Sequence, residues 1–208
     1  MTQNTPLSLV RQGPAAAQAR LTIVAVHGRG AAAANILPIA ADLGLGDVAY
    51  VAPNAPGGTW YPYSFLSPLT QNEPQLTASL AVLDAVVGVL RAEGIADERI
   101  GFLGFSQGAC LALEFAARHA RRHAAIVAFS GGLIGPPGTP REYHGRFGGT
   151  PVFLGCSDVD PHIPLVRVHE SAEVFRRLGA DVVERIYPVM GHLVSDDELA
   201  VARSILAA

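Results

Sequence analysis

Short apolar runs alternate with helical patterns along this chain. The runs at 21–26, 100–105 and 124–129 show no polar alternation, which is typical of strands buried on both faces of a sheet. Four further strands are predicted at 7–11, 48–51, 151–155 and 182–187. Helices are predicted from apolar spacing and capping signals near 32–42, 75–93, 109–118, 165–178 and after Ser195. This alternation predicts an α/β fold, with a mostly parallel central sheet and helices on both faces.

Composition is typical of one folded domain. The chain has 208 residues, 50% of them hydrophobic and 16% charged, so we expect a single domain over 1–208 with a large core. The formal net charge of −3 does not indicate binding to nucleic acid or to an acidic membrane. The segment Met1–Ser8 has no basic or apolar signal region, and no apolar run looks long enough to span a bilayer.

The two cysteines of the chain indicate the cellular compartment in which it folds. Cys110 and Cys156 lie in apolar stretches and have no metal-ligand spacing to other residues. We therefore predict reduced, buried thiols in a cytoplasmic protein, although the sequence leaves a disulfide between them open.

The segment Gly104-Phe105-Ser106-Gln107-Gly108 lies between a predicted strand and a predicted helix. A G-x-S-x-G sequence in this context is typical of a nucleophile elbow, a tight turn that holds the serine clear of the sheet. The free N–H groups at the start of the helix then point towards Ser106, and the N–H of Gln107 is a candidate oxyanion donor. The alternative is an ordinary strand-to-helix turn that contains glycine and serine.

A serine nucleophile needs a base, and the base needs a carboxylate to orient it. Among seven histidines, His192 is the best candidate for the base, because it follows the last predicted strand on a short loop. Asp158 and Asp160 follow an earlier strand and compete for the acid, and we choose Asp160. The two aspartates could also form a metal site, but no cluster of further ligands is visible, so we predict no metal. The order Ser106, Asp160, His192 is that of the α/β-hydrolase arrangement.

Further candidates surround this predicted site. In His27-Gly28-Arg29-Gly30, the backbone N–H of Arg29 is the candidate for the second oxyanion donor, and a plain glycine-rich turn is the alternative. Aromatic residues in the long connection at 53–74 are expected to line the substrate pocket, namely Trp60, Tyr61, Tyr63 and Phe65. Met190 is a further pocket candidate, and His162 is expected at the rim. Core packing is an equally good interpretation of the aromatic residues and of Met190.

The sequence resembles the phospholipase/carboxylesterase family of α/β hydrolases, which includes acyl-protein thioesterases and small bacterial carboxylesterases. The resemblance covers about 21–206 and rests on H-G-R-G at 27–30, G-F-S-Q-G at 104–108, D-P-H-I-P at 160–164 and G-H at 191–192. It implies an α/β-hydrolase fold without a large lid domain, Asp160 as the acid, and an oxyanion hole formed by Arg29 and Gln107. The sequence departs from the family at Cys156-Ser157, where members often carry His-Gly. The resemblance also suggests a homodimer.

These features predict a serine hydrolase that cleaves small carboxylic esters through an acyl-enzyme, without a metal or organic cofactor. The expected partner is a small-molecule ester or thioester. An acyl-protein thioesterase or a lysophospholipase with the same triad is one alternative. A catalytically inactive ligand-binding protein on the same fold is an alternative of another class.

Overall fold

The computed structural model describes residues 8–208. Leu7, where the first strand was predicted to begin, and nearly all of the N-terminal segment judged for a signal lie outside the described residues. Seven strands form one sheet: β1 (Leu9–Gln12), β2 (Leu21–Val26), β3 (Val48–Pro53), β4 (Ile100–Phe105), β5 (Ile126–Phe129), β6 (Pro151–Ser157) and β7 (Asp181–Tyr187).

The strands lie in the order β1-β3-β2-β4-β5-β6-β7 across the sheet. Among the described strands, β1 runs antiparallel to β3 and every other neighbouring pair is parallel. With helices on both faces, this arrangement confirms the predicted α/β fold.

The helices divide between the two faces of the sheet. They are α1 (Ala33–Leu43), α2 (Leu69–Asn72), α3 (Gln75–Ala92), α4 (Gln107–Arg118), α5 (Leu165–Arg177) and α6 (Asp196–Ala207). Alternate residues of β2 enter different cores: Ile23 packs in the core with α1 and α6, whereas Val24 packs in the core with α3, α4 and α5. Both faces of the central strands are covered, which explains why these strands are apolar without alternation.

Helix α3 is long and apolar enough to cross a membrane by length and composition alone. The expectation that no segment meets this criterion is therefore wrong for α3. In the structure, Leu76, Leu83 and Leu90 of α3 are fully buried in the core, and the charged Asp84 and Arg91 are exposed. The core helix of a globular fold meets the same criterion.

The parallel sheet brings four loops to one edge. Strand β2 leads into 27–30, β4 into Ser106, β6 into 158–160 and β7 into 188–195. Because the carboxyl ends of parallel strands share one edge of a sheet, these loops lie together there, where open α/β sheets bind ligands.

Candidate active site

Ser106 occupies the turn between β4 and α4. Its φ of 55° and ψ of −122° lie in a region that residues other than glycine rarely adopt. The Ser106 N–H donates to the carbonyl oxygen of Phe129 at 3.0 Å, and its own carbonyl accepts from the N–H of Cys110 at 3.0 Å. Strained conformations persist where surrounding structure holds them, and they concentrate at functional sites. Here β5 and α4 hold the strained turn from two sides.

Two glycines allow this turn to form. A methyl group on Gly108 would lie 2.1 Å from the carbonyl oxygen of Val26, and one on Gly104 would lie 2.6 Å from the backbone nitrogen of Ala109. Helix α4 therefore begins directly against the backbones of β2 and β4, and neither position has room for a side chain.

Three side chains from different loops meet at the edge of the sheet. His192 Nε2 lies 2.9 Å from Ser106 Oγ, and His192 Nδ1 lies 2.7 Å from Asp160 Oδ2. Ser106 and His192 are 86 positions apart in the chain. The structure thus brings together the three residues that the sequence analysis selected, with the imidazole between the hydroxyl and the carboxylate.

The carboxylate of Asp160 is fully buried, with an exposed fraction of 0% for its side chain. Its Oδ1 accepts from the backbone N–H groups of His162 at 2.8 Å and Ile163 at 3.0 Å. Burial alone would raise the pKa of Asp160, but the hydrogen bonds from His192 and the two backbone groups outweigh it, so its pKa lies below the usual value. The carboxylate stays ionised and can accept a hydrogen bond from the Nδ1–H group of His192.

Two backbone N–H groups face the same cavity as Ser106. Arg29 and Gln107 both line it, and neither of their backbone N–H groups donates to a protein acceptor among residues 8–208. Gln107 is the first residue of α4, so its N–H lies at the positive end of the helix dipole. Unpaired donors beside a nucleophile can stabilise a developing oxyanion.

The cavity has a volume of about 870 Å³ and reaches both cores of the protein. Tyr61, Tyr63 and Phe65 line it, as the sequence predicted. Tyr63 is 57% exposed at the surface, whereas Tyr61 and Phe65 are buried.

Two of the pocket predictions are not met. Trp60 is fully buried and does not line the cavity; its indole N–H donates to the carbonyl oxygen of His27 at 2.8 Å. Met190 also lies away from the cavity lining, although it is only two residues from His192. The alternative interpretation of Trp60, packing rather than substrate contact, is the one that the structure supports.

Ile36 and Ile39 of α1 also form part of the cavity wall, and neither was predicted from the sequence. Their position in the sequence could have indicated this role, because α1 directly follows the H-G-R-G turn. Cys110 also lines the cavity, and burial raises the pKa of its thiol to about 12. It is therefore a neutral wall residue rather than a nucleophile. Both cysteines are buried and unpaired, as predicted.

The side chains of Arg29 and Gln107 hold the aromatic loop, which is the segment 60–65 of the long connection. The Arg29 guanidinium donates to the carbonyl oxygens of Pro62 at 2.8 Å and Tyr63 at 2.6 Å. The Gln107 amide accepts from the N–H of Trp60 at 3.0 Å and donates to the carbonyl oxygen of Tyr61 at 2.8 Å. The guanidinium is thus engaged with the protein's own carbonyls rather than free for an acidic ligand.

Other histidines near the site have different surroundings. His27 accepts from the N–H of Ala55 through Nε2 at 3.1 Å and contacts the carbonyl oxygen of Gly28 through Nδ1 at 2.8 Å, and burial lowers its pKa. It is a neutral ring that orders the 27–30 turn. His162 lines the cavity, and its ring meets that of His192 edge-on at 4.8 Å. Within residues 8–208, no three His, Cys, Asp or Glu side chains cluster in a way that could hold a metal ion.

A family model described as Phospholipase/Carboxylesterase matches residues 12–208. The chain belongs to the phospholipase/carboxylesterase family. A crystal structure of a member of this family from Dyadobacter fermentans DSM 18053 is 40% identical, with a TM-score of 0.93, and covers 98% of this chain and 97% of that one.

Two fungal relatives of this chain are named acyl-protein thioesterase 1. The one from Saccharomyces cerevisiae is 30% identical over 206 residues, or 87% of this chain and 89% of that protein. The one from Gibberella zeae is 32% identical over 115 residues, which span 51% of this chain and about half of that protein, 46%. Family membership places the chain among hydrolases of the esterase and thioesterase type.

Proposed function

We propose that this family member is a serine hydrolase that cleaves small carboxylic esters through an acyl-enzyme intermediate. The observation on which the proposal rests is the unbroken hydrogen-bond chain from Ser106 through His192 to Asp160. A ring nitrogen 2.9 Å from a hydroxyl oxygen is within the distance that proton transfer requires.

In the first half-reaction, His192 Nε2 takes the proton of Ser106 as its Oγ attacks the ester carbonyl. The carbonyl oxygen becomes an oxyanion, which the backbone N–H groups of Arg29 and Gln107 stabilise. Each such donor typically contributes about 3 kcal/mol to the transition state. The imidazolium then gives its proton to the leaving alcohol, and the acyl group stays on Ser106.

In the second half-reaction, His192 takes a proton from water, which attacks the acyl-enzyme at the same carbonyl. A second oxyanion forms between the same two donors, and its collapse returns the proton to Ser106 and releases the carboxylic acid. Asp160 stays ionised throughout, because its role is to hold the Nδ1–H tautomer and to stabilise the imidazolium.

The cavity supports a small substrate. Its volume of about 870 Å³ lies within the range of small-molecule sites, and its aromatic and aliphatic walls suit an apolar ester. Arg29 is the one arginine among the described residues that line it, and it is already bound to backbone carbonyls. We propose an uncharged ester of short or medium chain as the substrate class, and no cofactor.

The main competing function is thioester cleavage by the same three residues. The names of the two fungal relatives favour it, since both are acyl-protein thioesterases. A lysophospholipase is a third variant of the same chemistry. The alternative of another class is a ligand-binding protein, which would have the same fold but would not hydrolyse esters or thioesters. We also propose a cytoplasmic location, in keeping with two unpaired, buried thiols, and the homodimer stays a prediction for sedimentation analysis.

Hydrolysis of p-nitrophenyl esters from acetate to palmitate tests these functions. We expect rapid turnover of short chains by the unsubstituted protein and almost none by Ser106→Ala. Ser204→Ala, on the exposed surface of α6, is the matched control and should keep full activity. An optimum at long chains, or faster cleavage of matched thioesters, would move the assignment to a lipid esterase or thioesterase. Absence of turnover together with absence of fluorophosphonate labelling at Ser106 would leave the binding protein.

A further inference from the structure

The loop that carries His192 (188–195) is attached to the end of β6 and to the loop that carries Asp160 (158–160). Two side chains make this attachment. Ser157 Oγ accepts from the backbone N–H of Gly191 at 3.0 Å. Asp158 Oδ1 accepts from the backbone N–H of Val189 at 2.8 Å. Ser157 is the last residue of β6 and is fully buried, so it is a rigid anchor for the first of these bonds.

Val189 has a backbone conformation that needs this attachment. Its φ of 56° lies in the left-handed region, which a β-branched residue adopts only at a cost in free energy. The residue is 80% exposed, so side-chain packing does not compensate for that conformation. The hydrogen bond from its N–H to Asp158 is the contact that holds the backbone there.

The residue before His192 makes the attachment important for the site. Gly191 also has a positive φ, of 80°, and a methyl group on it would meet no described residue other than its chain neighbours within 4 Å. A glycine in open space has many accessible conformations, so the ring that follows it needs an external constraint. Proton transfer tolerates heavy-atom distances of only about 2.6–3.2 Å, a window that a small shift of the loop would leave.

We propose that Ser157 and Asp158 are positioning residues, which fix the backbone of 189–191 and thereby hold His192 in reach of both Ser106 and Asp160. Neither of them lines the cavity, so they act through His192 and not on the substrate. The two aspartates of the loop then have separate roles, because Asp160 orients the ring and Asp158 orients the backbone. This inference rests on the proposed function, because it takes His192 as the base.

Kinetics of Ser157→Ala and Asp158→Ala provide the first test. We expect each to lower kcat about tenfold, as expected for the loss of one hydrogen bond, and to leave KM within about twofold. Asp158→Asn keeps an oxygen acceptor and should retain at least about half of kcat, with an unchanged pH profile. A shifted pH profile in Asp158→Asn would mean that the charge of Asp158 acts on His192 directly, and would overturn the proposal. Asp181→Ala, at the other end of β7, is the matched control.

A double substitution tests the strain at Val189. Asparagine tolerates the left-handed region better than valine does, so Val189→Asn should reduce the need for the bond to Asp158. We expect Asp158→Ala to lower kcat about tenfold when residue 189 is valine. The same substitution should lower kcat less than about threefold when residue 189 is asparagine. Equal losses in the two backgrounds would contradict the proposed role of Asp158.

Hydrogen exchange at residues 187–192 separates this inference from the proposed function. We expect faster amide exchange at Val189 in Asp158→Ala and at Gly191 in Ser157→Ala, with Tm close to that of the unsubstituted protein. If Ser106→Ala kept full activity while exchange rose as expected, the proposed function would fail and the attachment of the loop would stand. If exchange and kcat both stayed unchanged in the two variants while Ser106→Ala was inactive, the attachment would be refuted and the proposed function would stand.

Discussion

At the scale of single residues, backbone geometry decides which of two neighbouring carboxylates reaches the histidine ring. Asp158 and Asp160 belong to the same turn, and their residue type does not distinguish them in the sequence. In the structure, the side chain of Asp160 points inwards to His192 Nδ1, whereas that of Asp158 caps the backbone N–H of Val189. Composition and spacing leave both aspartates open as the acid, and the family resemblance favours Asp160.

Asp160→Asn should lower kcat by about 10³- to 10⁴-fold, because the amide no longer fixes the tautomer of His192 or stabilises its imidazolium. Circular dichroism should show an unchanged fold. Asp158→Asn is the control in the same turn, and ester hydrolysis at saturating substrate is the measurement. Comparable losses in the two variants would argue against the separate roles assigned to the two carboxylates.

The direction of single side chains in the loops could not be predicted from the sequence. Trp60 and Tyr61 are adjacent in an irregular loop and both are buried, yet only Tyr61 lines the cavity. A loop has no period that assigns side chains to a face, so the direction of each depends on tertiary partners such as the carbonyl of His27. Met190 failed as a pocket candidate for the same reason.

At the scale of elements, hydrophobic pattern located nearly all of the fold. Each strand and helix predicted from the sequence is present within a few residues of the expected bounds. The periodicity did not reveal α2, which has four residues and is too short for a helical period. The antiparallel direction of β1 and the position of β2 between β3 and β4 are set by pairing between distant segments, which no local pattern encodes.

The contact between α4 and β2 makes Gly108 unusually sensitive. Gly108→Ala would place a methyl group 2.1 Å from a carbonyl oxygen, so we expect unfolding free energy to fall by about 3 kcal/mol and activity to fall as the elbow shifts. Gly88→Ala in α3 is the matched helical control, because a methyl group there would meet no described atom within 4 Å apart from the neighbouring backbone of its own helix. It should raise stability by about 0.5–1 kcal/mol. Urea unfolding of both variants checks the prediction, and equal effects would contradict it.

The aromatic loop gives a second prediction at this scale. Arg29→Ala removes two hydrogen bonds to the loop carbonyls but keeps the backbone N–H that we propose as an oxyanion donor. We expect KM to rise about threefold to tenfold and kcat to stay within about threefold. Arg146→Ala, whose side chain binds a carbonyl far from the cavity, is the control. A large loss of kcat with unchanged KM would instead point to a direct role of the guanidinium in the reaction.

At the scale of the whole molecule, a buried histidine links stability to pH. His123 is buried, its two ring nitrogens have no hydrogen-bond partner among the described residues, and the ring meets that of Phe102 edge-on at 5.2 Å. Burial lowers the pKa of His123 to about 4 from 6.5. Between pH 6.5 and 4 the unfolded chain binds the proton and the folded chain does not, so the free energy of unfolding falls as the pH falls.

His123→Phe should remove this loss, which amounts to about 3 kcal/mol over the whole window. The advantage of the variant over the unsubstituted protein should therefore grow as the pH is lowered from about 7 towards about 4. Urea unfolding at several pH values measures the difference, in which other titrating groups cancel. His144→Phe, at an exposed position, is the matched control for the replacement itself.

The edge position of β7 has a consequence for how the enzyme gains and loses activity. Among the described strands, β7 pairs only with β6, and it alone delivers His192 to the site. A chain folded through β6 would already hold Ser106, Asp160 and both candidate oxyanion donors, but it would lack His192, the base of the proposed mechanism. On the proposed function, docking of the final strand completes the triad, so we expect detachment of β7 to abolish activity. Under gentle heating, ester cleavage should disappear before the circular dichroism signal of the sheet does, so that turnover reports whether the last strand is in place.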